Sequence, residues 1–428
     1  MGTVILAIAF VIEAAFAAFC LITRSSQVRV RSYARIGAFA AFVLLALLSV
    51  IQWSFRWYGL AALLLVWAAL GARALIRKRG EGKRFNPGGI VLKAAAMLLL
   101  VLIAVTPALI FPQSKLPPMT GNYEVATAVY TYSDGSRTET FTQTGESRKV
   151  NVEFWYPKDS PGPCPLVVFS HGAFGLKVSN TSTFMDLASN GYVVCSIDHP
   201  YHSLFTIGTD RRLVRADPAF LREVMDLNNA NWDEARIYEV EQKWMKLRTA
   251  DIHFVLNTIL AQAQDTGSDA VYRRIDPEKI GLMGHSLGAA AVAQVARERN
   301  DIDAVINLDG RYVLNDTVYP VPILNVYTDT MVQLMAAIEN PNDVIAVKHI
   351  AATAPHAYEV HLEGTDHMSV TDLPLISPLL VSVINASVPK GGGEEVDSYH
   401  TVEKMNSIVL EFFNAYLKGE GHFSPAGT

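Results

Sequence analysis

The sequence is poor in cysteine and has no excess of basic residues. It contains 3 cysteines in 428 residues and carries a formal net charge of −5. Domains that bind nucleic acid usually carry a positive charge, so this balance argues against a nucleic-acid partner. The sequence has no Cys-x-x-Cys pair and no cluster of cysteine with histidine. Nothing in it therefore indicates a structural metal or an organic cofactor.

The sequence also gives no sign of a disulfide. Cys164 and Cys195 fall near neighbouring predicted strands, but at opposite ends of them. Each strand residue advances the chain by about 3.3 Å, whereas the Cα atoms of a disulfide are rarely more than about 7 Å apart. We therefore expect both to be free thiols.

Long apolar runs are confined to the first part of the chain. Each run has about the 20 residues that a helix needs to cross a bilayer core, and inside lipid such segments must be helical. The runs cover residues 3–22, 37–55, 58–76 and 93–112. We predict a four-helix transmembrane anchor at 1–112, a linker at 113–120 and a second domain at 121–428. A soluble bundle is the alternative, and runs this apolar argue against it.

The basic residues of the connecting loops predict the orientation of this anchor. They concentrate in the first and third loops, at Arg24, Arg29, Arg31, Arg35, Arg77, Lys78, Arg79, Lys83 and Arg84. The second loop has only Arg56, and the exit after the fourth run has only Lys115. The positive-inside rule then places the first and third loops in the cytoplasm and the C-terminal domain on the extracytoplasmic side.

Glu13 is an ionisable residue in the middle of the first apolar run. Such a residue is a functional candidate by default. The alternative, which we favour, is a carboxyl group hydrogen-bonded to a neighbouring helix. A transport path usually needs more than one such charge.

The second domain alternates short apolar strands with helical segments. We predict a hairpin with strands at 123–132 and 137–142, and a further strand at 149–156. Strands then follow at 166–169, 192–197, 280–283, 304–308, 323–327 and 358–362. This alternation predicts an α/β fold in which helices cover both faces of a mostly parallel sheet.

A Gly-x-Ser-x-Gly motif occupies residues 284–288. An apolar strand precedes it and an alanine-rich helix follows, which is the setting of a nucleophile elbow in the α/β-hydrolase fold. Ser286 is therefore the predicted nucleophile. An ordinary turn that happens to contain serine is the alternative.

A serine nucleophile needs a base, and the base needs an acid that orients it. His367 follows a late strand and is the predicted base, with His400 as the second choice. Asp309 and Asp329 each follow a strand and are both candidate acids. We favour Asp309, because an apolar strand delivers it directly and Gly310 allows a sharp turn behind it.

An oxyanion hole needs two backbone N–H donors. We assign one to Leu287, which follows the nucleophile, and the other to Ala173 in the small-residue loop after an earlier strand. His171 in that loop is more typical of a structural residue. His199 and His202 are three residues apart beside an aspartate, which hints at a metal, but no second cluster supplies further ligands. We therefore expect a pocket-lining loop there.

Several of these segments together resemble the plasma/type II class of platelet-activating-factor acetylhydrolases. They lie at residues 152–157, 165–172, 186–192, 284–288 and 308–310. The resemblance covers roughly residues 120–428 and implies hydrolysis of short acyl esters on phospholipids. It also implies that the acid follows the strand after the nucleophile helix, which favours Asp309. The chain departs from that family at Ala289-Ala290-Ala291 and in its apolar N-terminal segment.

The sequence thus predicts a membrane-anchored serine hydrolase that cleaves small or lipid-like carboxylic esters. A peptidase or thioesterase with the same triad is one alternative. A non-catalytic binding module on the same scaffold is another. The helical region 207–250, with Phe220, Met225 and Trp232, either covers the pocket or packs on the outside of the domain.

Overall fold

A computed structural model describes residues 1–77, 85–229, 232–265, 267–311, 317–337, 350–385 and 396–425. The chain divides into two compact units. The first comprises Met1–Lys115 and Leu375–Ile384, and the second comprises Leu116–Pro374 and Asn385–Thr428. The sequence-based division placed residues 375–384 in the second domain, whereas their contacts group them with the first unit.

Four helices of the first unit are long and apolar enough to cross a membrane, in agreement with the four predicted runs. They are α1 (Gly2–Ile22), α2 (Val28–Leu47), α3 (Tyr58–Ile76, preceded by a short turn at Phe55–Trp57) and α4 (Pro87–Ile110). Trp57 and Val105 are buried in the apolar core that the helices share.

The second helix differs from the prediction, because it begins at Val28 and ends at Leu47. Arg31 and Arg35 therefore lie within the first turns of a helix and not in a loop. Arginine favours helices about as well as leucine does, and Arg31 finds partners on α1. Its guanidinium lies 3.5 Å from the Glu13 carboxylate and 4.5 Å from the centre of the Phe16 ring. Glu13 thus contacts a neighbouring helix.

Two short helices that the sequence analysis did not predict follow the last strand of the sheet, at Leu373–Ile376 and Pro378–Asn385. Between them, the hydroxyl of Ser377 donates a hydrogen bond of 2.5 Å to the carbonyl of Ile110, the last residue of α4. This bond helps to explain why the segment groups with the first unit.

The second unit is built on a sheet of eight strands among the residues that the structure describes. The strands are β1 (Val125–Thr138), β2 (Ser147–Pro157), β3 (Cys164–Ser170), β4 (Val193–Asp198), β7 (Ile275–His285), β8 (Ala304–Leu308), β9 (Ile323–Thr328) and β10 (Ala357–Leu362). Their order in the sheet is β1-β2-β4-β3-β7-β8-β9-β10. β2 runs antiparallel to β1 and β4, and the other neighbours are parallel. The prediction of a mostly parallel sheet is confirmed.

Helices cover both faces of this sheet. They are α5 (Thr181–Ser189), α6 (Pro218–Asn229), α7 (Glu234–Gln264), α8 (Leu287–Glu298), α9 (Asp329–Ala337) and a closing helix at Ser398–Phe413. Successive strand residues point to opposite faces. Val168 joins the core that contains residues of α7 and α8, whereas the next residue, Phe169, packs its ring against Phe184 of α5. Burial on both faces explains why β3 is apolar throughout.

The predicted hairpin within residues 123–142 is wrong. β1 continues to Thr138, and its antiparallel partner is β2. The Asp134 carboxylate accepts hydrogen bonds from the backbone and hydroxyl of Ser136 and from Arg137. These local bonds produce a register shift within the strand instead of a reversal of the chain. A hairpin that the sequence analysis missed is formed by β5 (Phe205–Ile207) and β6 (Leu213–Arg215).

The cysteine prediction is confirmed. Cys164 and Cys195 are both free and buried, as is Cys20 in α1. Cys164 starts β3, whereas Cys195 pairs with Val168 near the other end of that strand.

Candidate active site

Ser286 lies on a sharp turn between β7, which ends at His285, and α8, which begins at Leu287. Its backbone has φ 54° and ψ −123°, a conformation that residues other than glycine rarely adopt. A Cβ atom built on Gly288 would lie 2.0 Å from the Ser170 carbonyl oxygen, and one on Gly284 would lie 2.5 Å from the Gly288 backbone. Only glycine fits at both positions, so this strand–turn–helix has the geometry that the motif predicts for a nucleophile elbow.

Asp309 lies at the end of β8 and is fully buried. Its carboxylate accepts hydrogen bonds from Nδ1 of His367 at 2.7 Å, from the backbone N–H of Thr328 at 2.7 Å and from the Thr328 hydroxyl at 2.9 Å. The Ser286 N–H donates to the carbonyl of Leu308, the residue before Asp309, at 2.9 Å. Thus Asp309 holds one nitrogen of His367, and the strand that carries Asp309 is bonded to the elbow.

His285 connects His367 to the nucleophile turn. Its Nε2 lies 3.1 Å from the His367 carbonyl oxygen and donates to it, and the two rings are 4.7 Å apart. Burial lowers the pKa of His285 to about 3, and the neighbouring His367 adds to this effect. His285 is therefore neutral at pH 7 and can hold the His367 backbone without adding a charge to the site.

Asp329, the alternative acid, has other partners. Its carboxylate accepts from Nε2 of His361 at 2.7 Å and from the Gly364 N–H at 3.0 Å. Gly364 belongs to the turn that leads to His367, so Asp329 fixes this turn. His400, the alternative base, is 71% exposed and lies near Asp397 and Glu403.

Gly172 brings the predicted oxyanion loop against Ser286. A Cβ atom on Gly172 would lie 3.1 Å from Cβ of Ser286, so the loop backbone runs directly beside the serine. Ala173 follows in this loop, and Leu287 begins α8. Both side chains pack against a cluster centred on Phe220, Val240 and Trp244.

This cluster comes from α6 and α7, so these helices cover the predicted oxyanion loop. Of the three residues expected in a cover, Phe220 is buried in the cluster and Trp232 packs against it, whereas Met225 is exposed.

The remaining histidines of the site are buried and hydrogen-bonded. His199 lies 3.0 Å from the Asp251 carboxylate through Nδ1 and 3.0 Å from the Ser170 hydroxyl through Nε2. Nε2 of His171 lies 2.8 Å from the Ser203 hydroxyl. Burial lowers the pKa of His199 to about 3 and holds the pKa values of His171 and His202 well below their usual range. Among the described residues, no group of three or more histidine, cysteine or acidic side chains could hold a metal.

The sequence analysis missed the charged residues beneath the oxyanion loop. The Arg148 guanidinium donates to the Asp251 carboxylate at 2.7 Å and to Glu139 at 2.9 Å, with all three side chains almost completely buried. Arg248 lies one turn before Asp251 on α7 and is also buried. Their spacing of three residues places them on the same face of the helix, but sequence alone did not show which face is buried.

Comparisons with known proteins concern the fold and the family of the chain. The ferulic acid esterase from Streptomyces cinnamoneus superposes with a TM-score of 0.56 at 20% identity, over 73% of this chain and 97% of that one. This likeness concerns the fold alone.

Two sequence relatives have names that refer to an acetylhydrolase and an esterase. Platelet-activating factor acetylhydrolase of Bos taurus is 21% identical over 59% of this chain and 57% of its own length. A probable 1-alkyl-2-acetylglycerophosphocholine esterase of Arthroderma benhamiae is 29% identical over 38% of this chain and 36% of its own. The match to the bovine protein thus spans little more than half of that relative. The model of the platelet-activating factor acetylhydrolase isoform II family matches residues 140–424, well over half of the chain, and the chain belongs to that family.

Proposed function

We propose that the chain is a membrane-anchored serine hydrolase that cleaves carboxylic esters through Ser286, His367 and Asp309. The observation that carries the proposal is the bond between buried Asp309 and Nδ1 of His367, beside the strained turn of Ser286. A carboxylate on Nδ1 leaves Nε2 as the nitrogen that accepts the serine proton. The membership of the chain in an acetylhydrolase family supports the same chemistry.

The proposed reaction has two steps. Ser286 Oγ attacks the ester carbonyl while Nε2 of His367 takes its proton, and the backbone N–H groups of Ala173 and Leu287 stabilise the oxyanion. His367 then protonates the leaving alcohol, and an acyl-enzyme remains. Water, deprotonated by His367, releases the acid and restores the serine. Asp309 orients the imidazole and stabilises its cation, and the mechanism needs no metal or organic cofactor.

The proposed substrates are short-acyl or lipid-like esters. The names of the relatives refer to an acetyl ester of a glycerophospholipid. In this chain, the side chains of Ala173 and Leu287 lie under an apolar cluster of α6 and α7, which favours an uncharged acyl group over a charged one.

We predict that Ser286→Ala abolishes ester hydrolysis by the full chain. Without the nucleophile, kcat should fall by several powers of ten. The measurement is the rate on p-nitrophenyl esters from acetyl to long acyl, with thioester and anilide substrates beside them. A preference for thioesters or anilides would assign another reaction to the triad. Equal ester rates in both proteins would rule out Ser286 as the nucleophile.

Asp309→Asn and Asp329→Asn form a matched pair that separates the two candidate acids. In Asp309→Asn, an amide cannot accept the Nδ1 proton as a carboxylate does, so kcat should fall on the order of 10⁴-fold. Asp329→Asn should lower kcat by less than about tenfold, because the Asp329 carboxylate bonds His361 and the Gly364 turn. Thermal unfolding of both variants controls for folding. The reverse order of the two losses would assign the acid to Asp329.

We further propose that the four apolar helices span a membrane and that the hydrolase unit lies on the extracytoplasmic side. Support comes from their length and composition and from the arginines near the α1–α2 connection.

Labelling of intact cells with a membrane-impermeant maleimide tests this orientation. The native cysteines are buried, and Asp159 and Ser25 are exposed. Asp159→Cys should label and Ser25→Cys should not, whereas both should label after permeabilisation. Labelling of Ser25→Cys alone in intact cells would contradict the proposed orientation.

A further inference from the structure

Arg248 is a fully buried arginine whose guanidinium lies against the oxyanion loop. It donates to the carbonyl of His171 at 2.9 Å and to the carbonyl of Gly172 at 3.2 Å, and its Nε lies 3.4 Å from Nδ1 of His202. One side chain thus holds two successive carbonyls of this loop. The fork of donors in a guanidinium suits this arrangement, and a single ammonium group does not match it.

These bonds fix the direction of two backbone donors. In a planar trans peptide the N–H points away from the C=O of the same unit. Because the carbonyls of His171 and Gly172 turn toward Arg248, the N–H groups of Gly172 and Ala173 turn away from it. Gly172 lies beside Ser286, and we infer that the side of the loop away from Arg248 is the side on which the Ala173 N–H would meet the oxyanion.

Arg248 is not the only donor to the Gly172 carbonyl among the described residues. The Gly172 carbonyl also accepts from Nδ1 of His171 at 2.6 Å and from the Gly175 N–H at 3.2 Å. The loop should therefore keep its path without Arg248, but it would lose the bridge between its two carbonyls and the positive charge behind them.

That charge is directed at the loop. Asp251, one turn along α7, pairs with Arg137, Arg148 and His199, and Arg248 donates to the uncharged carbonyls. Burial lowers the pKa of Arg248 to about 9, so it stays protonated at pH 7. In a low-dielectric interior, a fixed cation behind aligned peptides stabilises negative charge on their N–H side.

We propose that Arg248 is a positioning residue that preorganises the oxyanion hole by clamping the His171 and Gly172 carbonyls. This inference rests on the proposed function, because it concerns the oxyanion of the same ester hydrolysis. Arg248 touches neither substrate nor the reacting atoms, and its effect reaches them through the Ala173 N–H.

The test compares oxygen esters with thionoesters in the full chain and in Arg248→Met and Arg248→Lys. A thionoester places sulfur, a weak hydrogen-bond acceptor, in the oxyanion hole, so the rate ratio between the two esters reports on the hole itself. Arg248→Met should lower kcat for the oxygen ester on the order of 10²-fold, the scale of a lost oxyanion donor. KM should change little, and the rate of the oxygen ester divided by the rate of the thionoester should fall. Arg248→Lys should lie between wild type and Arg248→Met, because one ammonium group cannot clamp both carbonyls.

Arg236→Met is the matched control, since Arg236 lies on the same helix in an exposed pair with Glu239. It should leave both rates unchanged. If Arg248 had a purely structural role, Arg248→Met would lower the rates of both esters by the same factor. The ratio of the two rates would then be unchanged, and this result would overturn the inference. If that variant does not fold, an unchanged ratio in Arg248→Lys does so.

The two proposals fail in different ways. Ester hydrolysis that survives Ser286→Ala would remove the proposed function and this inference together. If Ser286→Ala is inactive and the Arg248 variants keep the wild-type ratio, only the inference is lost.

Discussion

The strained backbone of Ser286 is the constraint on which the rest of the site depends. A residue held in such a conformation costs about 1–3 kcal/mol and persists only where its surroundings enforce it. Here the Ser286 N–H donates to the Leu308 carbonyl. The backbone packs so closely around positions 284 and 288 that only glycine fits there. The turn holds the serine at the carboxyl edge of the sheet. Asp309 and His367 reach this same edge from the carboxyl ends of β8 and β10, which lie on either side of β9, as expected in open parallel sheets.

A second layer of buried charge lies behind this edge. Asp251 binds Arg148 and His199, and Arg248 binds the oxyanion loop. Removing one partner of a buried ion pair leaves the other charge buried without a partner. This typically lowers the free energy of unfolding by about 3–5 kcal/mol. The long helix α7 supplies both Asp251 and Arg248. The same helix therefore supplies apolar side chains that cover the site and the buried arginine that bonds the loop beneath it.

The sequence pattern suggested candidate catalytic residues but not the residues that support them. Ser286, Asp309 and His367 each follow a predicted strand of a parallel sheet, and the order of residues along the chain then limits the candidates. The pattern favoured Asp309 over Asp329 but left both as candidates, because both follow strands. Their different partners depend on which strand ends lie together, and this is a tertiary property.

Other features were missed for related reasons. Arg248 and Asp251 resemble surface charges of a long helix until their burial is known. The start of α2 was placed too late, because arginines interrupt the apolar run that marks a membrane helix, while Glu13 and Phe16 of the neighbouring helix accommodate Arg31. The turn signal Ser133-Asp134-Gly135 predicted a reversal, but the chain forms only a register shift between Asp134 and Thr138, where the Asp134 carboxylate accepts from Ser136.

The most direct test of the central claim is covalent labelling of the full chain with a fluorophosphonate, followed by peptide mapping. Such a probe reacts with a serine only where a base activates it and an oxyanion hole receives the phosphoryl oxygen. We expect a single adduct on Ser286, and its loss when His367 is replaced by alanine. Absence of an adduct in the folded protein, or an adduct on another serine, would contradict it.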